Sequence, residues 1–169
     1  MSAHATAWNR PLAYHPGMEP AQPAMPTPVR SPANLTATVR AFLAQPLFAS
    51  IATTDASGAP RQAVIWYRLE EDGRILVNSR VSRFWPAHLQ RDGRASLAIV
   101  GADGYQWVGI AGHVDEIDDD PVRALADIEA LAWRYHPDGP APDALASYRA
   151  FPRITFRIAI DRILDHLED

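Results

Sequence analysis

RILVNSRVSRFWPAHLQRDGRASL, residues 74–97, is the stretch that decides the fold of this chain. Its apolar start predicts a strand, which passes through Arg80 and Arg83 into a short helix at Pro86. Gly93 then ends the helix, and a second apolar strand follows. The first turn of a helix has backbone N–H groups without partners and the positive end of the helix dipole. The crossover from strand to helix therefore predicts an anion-binding site.

Short apolar segments joined by tight turns surround this stretch. Two strands are predicted before it, at 47–54 and 62–69, and its own first residues form a third, at 74–79. After it, strands are predicted at 95–100, 105–117 and 153–160. Connections this short make consecutive strands antiparallel neighbours. In the long strand, Gly109 and Gly112 permit the bend that a closing barrel requires.

Helices are predicted on both sides of the central stretch as well as within it. The first is capped by Asn34 and ended by Pro46. A later helix begins with Pro121 after three aspartates, and a shorter one precedes the last strand. The helix that begins at Pro121 is predicted to have an apolar stripe made of Val122, Leu125, Ile128, Ala132 and Tyr135. Six or seven antiparallel strands with flanking helices predict a mainly β, α+β domain built as a β-barrel.

Composition excludes several classes of function. The 169-residue chain has 47% hydrophobic residues and a net charge of −4, which suits one globular domain and argues against nucleic acid as a partner. Without cysteine there are no disulfides or thiolate metal sites, and without lysine there is no Schiff-base catalysis. The six histidines lack metal-binding spacing. With no secretion signal or membrane span in the sequence, we expect a cytoplasmic protein without a metal or a membrane partner.

Residues 1–33 differ from the rest of the chain, since they hold seven of its fifteen prolines and have no apolar periodicity. Proline removes N–H donors and fixes φ, so this segment is predicted to be an extended or disordered arm. The folded domain is expected at 34–169. A second interpretation is that Trp8, Leu12 and Tyr14 anchor the arm on a partner subunit.

The order of the motifs resembles a known family. FASIATTDASGAP, VIWY, ILVNS, the Arg-rich crossover, RDGRASLAIV, GHVDEIDDDP, RYH and RITFRI follow one another in that order. This order resembles the pyridoxamine 5′-phosphate oxidase-like split β-barrel oxidoreductases, and the nearest resemblance is to their deazaflavin-dependent branch. It covers about residues 34–165. The resemblance implies a six- to seven-stranded split β-barrel homodimer, with two equivalent flavin-type sites in grooves between the subunits.

The resemblance also implies which positions hold the cofactor and the substrate. The ring is expected over Ala63, Val64 and Ile65. The phosphate is expected at strand ends and in the crossover, at Arg68, Asn78, Ser79, Arg80, Ser82 and Arg83. Trp85 is expected beside the cofactor, and the substrate against Phe84, Trp85, Tyr105 and Trp107. An arginine fork and a hydroxyl beside a helix start suit a phosphate ester chemically.

Plainer interpretations compete with these assignments. Arg80 and Arg83 could lie in a solvated loop, and Trp85 could pack on the mouth of the barrel. Tyr105 and Trp107 could pack in the core or at a sheet edge. No catalytic side chain is predicted, because in such enzymes the cofactor itself carries out the hydride chemistry.

The favoured hypothesis is an oxidoreductase that uses deazaflavin (coenzyme F420) rather than FMN to transfer a hydride to a small unsaturated or aromatic substrate. Family members usually carry a basic pair directly before the helix, where this chain has Phe84 and Trp85. This replacement exchanges phosphate attraction for stacking area. It favours an alternative, a split barrel that has lost flavin chemistry and binds an aromatic ligand or acts on it without a cofactor. A weaker hypothesis is haem binding by His88 or His113.

Overall fold

Seven antiparallel strands and four helices make up residues 35–167, the part of the chain that the computed structural model describes. In chain order they are α1 (Ala37–Leu43), β1 (Ala49–Thr54), β2 (Pro60–Ile65), β3 (Tyr67–Leu69), β4 (Ile75–Arg80), α2 (Phe84–Asp92), β5 (Arg94–Val100), β6 (Trp107–Asp118), α3 (Pro121–Tyr135), α4 (Pro142–Arg149) and β7 (Arg153–His166). The predicted arm at 1–33, with Trp8, Leu12 and Tyr14, lies outside these residues.

The sheet is curled into a half-barrel, and the position of Trp66 explains why. The strand order is β2-β1-β5-β6-β7-β4-β3, so β2 and β3 lie at opposite edges of the sheet, yet only Trp66 separates them in the chain. Since consecutive Cα atoms are about 3.8 Å apart, the sheet must curl until its edges meet at this residue. The prediction of one continuous strand at 62–69 is therefore wrong. Its first part pairs with β1 and its second part with β4.

The hydrophobic core fills the inside of the curled sheet. Alternate residues of β1 and β5 are buried, as the two-residue period of a strand requires. The largest fully buried side chains inside the sheet include Ile51, Tyr67, Leu97, Ile99 and Phe156. Helix α2 adds Trp85 and Leu89 to this core. These findings confirm the mainly β, α+β fold class with seven strands.

Strand β4 is buried on both of its faces, because the barrel core lies on one side and α3 on the other. Val77 packs in the barrel core, whereas Leu76 packs with residues of α3. The two-residue period then places Ser79 on the barrel face and Asn78 and Arg80 on the α3 face. This alternation decides which of the predicted site residues reach the surface groove described below.

Helix α1 begins later than predicted. Thr36 is its cap, and the Thr36 hydroxyl accepts a hydrogen bond from the N–H of Val39 at 3.2 Å. Asn34, the predicted cap, lies outside the described residues. A threonine hydroxyl, like an asparagine side chain, can accept a hydrogen bond from a free N–H of the first turn, so Thr36 can serve as the cap.

Helix α3 begins at Pro121 as predicted, and the Asp120 carboxylate caps it. The predicted apolar stripe is wrong in part. The fully buried residues are Ala124, Ile128, Leu131 and Ala132. Val122 is 75% exposed. Apolar periodicity identifies the side chains that can be buried, but the docking of the helix on β4 and β7 selects which of them are.

Of the two glycines at which a bend is predicted, Gly112 lies at an irregularity in the β6–β7 pairing. The β6–β7 register shifts between Ala111 and Gly112, and a Cβ atom on Gly112 would overlap the carbonyl oxygen of Ala159. Gly109 lies in regular pairing opposite Leu164. Within residues 35–167 the helices are too short or too polar to cross a membrane, and no group of three potential metal ligands occurs there.

Candidate functional site

A groove of about 260 Å³ opens where the ends of β2 and β4 meet helices α3 and α4. Its lining residues are Phe48, Val64, Ile65, Trp66, Asn78, Arg80, Arg83, Ile128, Tyr148 and Arg153. One part of this lining is apolar and aromatic, and the other carries three arginines. The groove therefore combines apolar surface with concentrated positive charge.

The apolar part is held rigidly. Trp66 stacks on Tyr135, with ring centroids 5.0 Å apart and an interplanar angle of 11°. The Tyr135 hydroxyl donates to the carbonyl of Leu47 at 2.6 Å and accepts from the N–H of Tyr67 at 3.1 Å. Beside Trp66, Val64 is 70% exposed and offers a large apolar surface to a ligand or a partner.

The three arginines come from different elements. Arg80 ends β4, Arg83 is the N-cap of α2, and Arg153 begins β7 directly opposite Arg80 in the strand register. Within residues 35–167 no carboxylate lies within 4.0 Å of any of these guanidinium groups, whereas other arginines of the sheet have close carboxylate partners, among them Arg68, Arg74, Arg94 and Arg157. Concentrated cations without a counter-ion attract anions.

Arg153 is the most deeply placed of the three, with 9% of its surface exposed. Burial is the main cause that lowers the pKa of Arg153, to about 10, and the neighbouring charges of Arg80 and Arg83 add to it. The guanidinium is still charged at neutral pH. An anion bound in the groove would offset both the burial of this charge and the mutual repulsion of the cluster.

Helix α4 and the residues that follow it hold two of these arginines in place. The Nη2 group of Arg80 donates to the Ser147 hydroxyl at 2.7 Å, and its guanidinium lies 4.0 Å from the centre of the Phe151 ring. The guanidinium of Arg153 lies 5.6 Å from the centre of the Tyr148 ring. Stacking on aromatic rings orients a guanidinium without neutralising it.

The family model described as pyridoxamine 5′-phosphate oxidase matches residues 35–166. The chain belongs to the pyridoxamine 5′-phosphate oxidase family. The match spans nearly all of the described residues and confirms the resemblance that the motif order predicts. No curated protein sequence matches the chain.

Solved structures related to this pyridoxamine 5′-phosphate oxidase family protein share its fold. An F420 reductase is 20% identical with a TM-score of 0.64, over 74% of this chain and 94% of its own. A conserved hypothetical protein from Mycobacterium tuberculosis is 22% identical with a TM-score of 0.62, over 79% and 88% of the two chains. HupZ from Group A Streptococcus is 18% identical with a TM-score of 0.56, over 79% and 94%. At these identities the likeness shows the fold alone.

The structure brings together some of the residues that the family resemblance assigns to the cofactor. Val64, Ile65, Asn78, Arg80 and Arg83 all line the groove. They come from β2, β4 and the crossover into α2, as the resemblance implies.

Other residues assigned to the cofactor lie elsewhere. Arg68 pairs with Glu70 at 3.1 Å. Ser79 is 1% exposed and faces the barrel core, where its hydroxyl has no hydrogen-bond partner among residues 35–167. Ala63 packs against the core, and Ser82 is exposed in the turn before α2 but does not line the groove. For Ser79 the physical reason is strand alternation, which turns it away from Asn78 and Arg80.

Trp85 does not form the predicted stacking surface. It is 2% exposed, belongs to the barrel core and packs against Phe156 with ring centroids 5.9 Å apart. Its ring therefore has no face that a cofactor or substrate can reach, which agrees with the plainer interpretation that it packs in the mouth of the barrel. Phe84, its neighbour, is 51% exposed and lies beside His88.

Tyr105 and Trp107, predicted to border the substrate, lie away from the groove. Trp107 begins β6 opposite His166, while the groove residue Arg153 lies at the other end of β7. Tyr105 is 77% exposed in the turn before β6. Within one subunit these two aromatic residues cannot share a pocket with the arginines, because the length of β6 separates them.

Both histidines considered as haem ligands have protein partners. The Nδ1 atom of His88 lies 3.0 Å from the Thr53 hydroxyl. The Nδ1 atom of His113 lies 2.9 Å from the carboxylate of Asp161. These contacts use only Nδ1 of each ring, and neither histidine lines the groove.

Sequence reasoning missed Arg153. It stands in the final strand motif RITFRI, one position before the apolar alternation begins, and looks like an ordinary strand-start arginine. What brings it into the site is its register opposite Arg80. That pairing joins residues more than seventy positions apart, so no local pattern reveals it.

Proposed function

We propose that this protein is a homodimeric oxidoreductase that binds a flavin-type cofactor in the groove and transfers a hydride to a small unsaturated or aromatic substrate. The observation that carries the proposal is the cluster of Arg80, Arg83 and Arg153 without a carboxylate partner in the described residues, directly beside an apolar wall. Flavin-type cofactors have the same two parts, an anionic phosphate chain and an apolar, planar ring.

The residues present fit such a cofactor. Arg80, Arg83 and Arg153 would hold the phosphate, since planar guanidinium groups bind phosphate oxygens in pairs. Val64 and Ile65 would support the ring, and Trp66, fixed by its stacking on Tyr135, would exclude water from it. When bound, the cofactor ring supplies the hydride chemistry.

Deazaflavin is favoured over FMN because the motif order is nearest to the deazaflavin-dependent branch of the family. Phe84 and Trp85 replace the basic pair that usually precedes the helix. The cluster that includes Arg153 would supply the positive charge that this replacement removes from α2.

A homodimer is favoured by the outer face of the sheet. Neighbouring strands present small side chains there, with Ala98 of β5 opposite Gly109 of β6 and Ser96 opposite Ala111. Beside them Leu164 of β7 is 64% exposed. Small side chains let two sheets approach closely, and an exposed leucine offers apolar area for burial.

The proposal is tested by titrating the purified protein with deazaflavin and with FMN while tryptophan fluorescence is followed. We expect binding of both, tighter for deazaflavin. Arg153→Gln and Arg80→Gln should each weaken binding by about tenfold or more, the usual value of a charge-assisted hydrogen bond. Arg40→Gln is the matched control, because Arg40 is exposed on α1, away from the groove.

Three results would contradict the proposal. A folded wild-type protein that responds to neither cofactor would exclude a flavin-type function. Tighter binding of FMN would overturn the preference for deazaflavin. An equal loss of affinity in Arg40→Gln and Arg153→Gln would show that the groove is not the site.

The alternative function, binding of an aromatic ligand without flavin chemistry, depended on a stacking surface made by Phe84 and Trp85. Burial of Trp85 removes the larger part of that surface. We therefore retain only the oxidoreductase proposal.

A further inference from the structure

Four side chains form a continuous hydrogen-bonded chain that ends in the groove. The Thr155 hydroxyl lies 2.8 Å from Oδ2 of Asp127, and Nδ2 of Asn78 lies 2.9 Å from the Thr155 hydroxyl oxygen. The Nε atom of Arg153 lies 3.0 Å from Oδ1 of Asn78. We call these residues the Asp127 relay. It joins α3, β7 and β4, and its inner members Thr155 and Asn78 are buried.

The direction of every hydrogen bond in the Asp127 relay is fixed by its two ends. An ionised carboxylate can only accept, so Thr155 must donate its proton to Asp127. The Thr155 oxygen is then free to accept from the Asn78 amide. At the other end a guanidinium can only donate, so Oδ1 of Asn78 must face Arg153. Both ends therefore require the same orientation of the Asn78 amide.

Asn78 has no free N–H group to donate to an acceptor atom of a ligand. Its second amide proton is donated to the carbonyl of Ala124 at 2.8 Å, so both N–H groups are used inside the protein. Its carbonyl oxygen accepts from Arg153. Asn78 lines the groove but is 8% exposed. A direct bond to a phosphate, as the family resemblance implies for this position, would break one of these contacts.

Arg153, in contrast to Asn78, keeps hydrogen-bond donors that can reach a ligand. Within residues 35–167 only its Nε atom donates to a protein acceptor, which leaves the two terminal nitrogens without one. A guanidinium held by Nε presents its two terminal nitrogens as a fork, the geometry that binds two oxygens of one phosphate. Fixing the plane of the guanidinium beforehand lowers the entropy lost on binding.

From this geometry we infer that Asn78 is a positioning residue, which orients Arg153 for anion binding and is itself oriented by Thr155 and Asp127. The inference rests on the anion-binding role proposed above for Arg153. Asp127 also has a neighbour outside the groove, because its carboxylate lies 4.0 Å from the Arg68 guanidinium. Arg68 would then stabilise the Asp127 carboxylate and would not contact the ligand.

Affinity measurements with FMN and with inorganic phosphate test the Asp127 relay. Asn78→Leu and Thr155→Val should each weaken binding about tenfold, whereas Thr155→Ser, which keeps the hydroxyl, should bind within about twofold of wild type. In a protein that already carries Arg153→Gln, Asn78→Leu should cause no further loss, because Asn78 acts through Arg153. An equal loss in both backgrounds would overturn the inference.

A second measurement does not depend on any cofactor. In a nitrogen-15 NMR spectrum the Nε–H signal of Arg153, identified by its absence in Arg153→Gln, should exchange slowly with water in the wild type. It should exchange rapidly in Thr155→Val, which is close in shape to the native residue and should fold. A slowly exchanging signal in Thr155→Val would overturn the relay. Failure of the wild type to bind any cofactor would instead contradict the proposed function, and the NMR exchange measurement would still test the Asp127 relay.

Discussion

Ser79 and Asn78 show how much one position along a strand decides. Both are polar residues at the end of β4, and both are assigned to the cofactor by the family resemblance. The two-residue period sends Asn78 to the α3 face, where it meets Thr155 and Arg153, and sends Ser79 into the barrel core. Adjacent residues of similar chemistry therefore have different roles.

The buried hydroxyl of Ser79 provides a test of this difference. It has no hydrogen-bond partner in the part of the chain that the structure describes, and a buried polar group without a partner costs free energy. Ser79→Ala should therefore raise the free energy of unfolding by about 1 kcal/mol in urea denaturation and leave cofactor affinity unchanged. Ser82→Ala, at an exposed turn residue, should change neither quantity. Weaker cofactor binding by Ser79→Ala would show that the hydroxyl reaches the ligand.

At the scale of the elements, the curl of the sheet creates the groove. Trp66 is the point where the chain leaves one sheet edge, β2, and joins the other, β3. The same residue stacks on Tyr135 of α3 and lines the groove. The curl of the sheet and the formation of the apolar wall therefore both depend on the position of Trp66.

The register shift between β6 and β7 at Gly112 provides a test of the element geometry. A Cβ atom on Gly112 would overlap a backbone oxygen of β7, which cannot move without disturbing the sheet. Gly112→Ala should therefore lower the free energy of unfolding by about 3 kcal/mol, the upper range for overpacking. Gly109→Ala is the matched control, because its nearest contact would be a Trp107 ring atom at 3.4 Å. Similar losses in thermal or urea unfolding for the two variants would contradict this account of the close approach at Gly112.

At the scale of the whole molecule, the inner face of the curled sheet is filled, and its outer face is covered by α3 over β4 but exposed over β5. The outer face carries alternate residues of β5, among them Ala98, and small residues of β6. A two-fold dimer uses the same patch on both subunits, so one substitution alters the interface twice. This makes the proposed homodimer sensitive to a single side chain.

Light scattering coupled to size-exclusion chromatography tests the dimer. The wild type should have the mass of two chains, and Ala98→Arg should have the mass of one, because it places two charged side chains in a close sheet contact. Ala126→Arg, at an exposed position of α3, should remain dimeric. A monomeric wild type, or a dimer in Ala98→Arg, would contradict the proposed interface.

Much of the fold could be predicted from the sequence because it depends on local patterns. Apolar alternation, tight turns and the start of α3 at Pro121 involve residues close together in the chain, and their order is sufficient to identify the family. The candidate site is different. Arg80 and Arg83 could be predicted to lie in it, since the end of a strand and the start of a helix are local features, and the family resemblance implied Val64.

Only the tertiary structure decided the rest. The register between β4 and β7 sets Arg153 opposite Arg80, the docking of α3 brings Ala124 to Asn78 and Asp127 to Thr155, and Trp85 is buried in the core. Each of these outcomes depends on which distant residues meet when the sheet curls. A sequence determines the type and order of its elements through neighbouring residues, whereas the side chains that face one another across the fold are decided by packing.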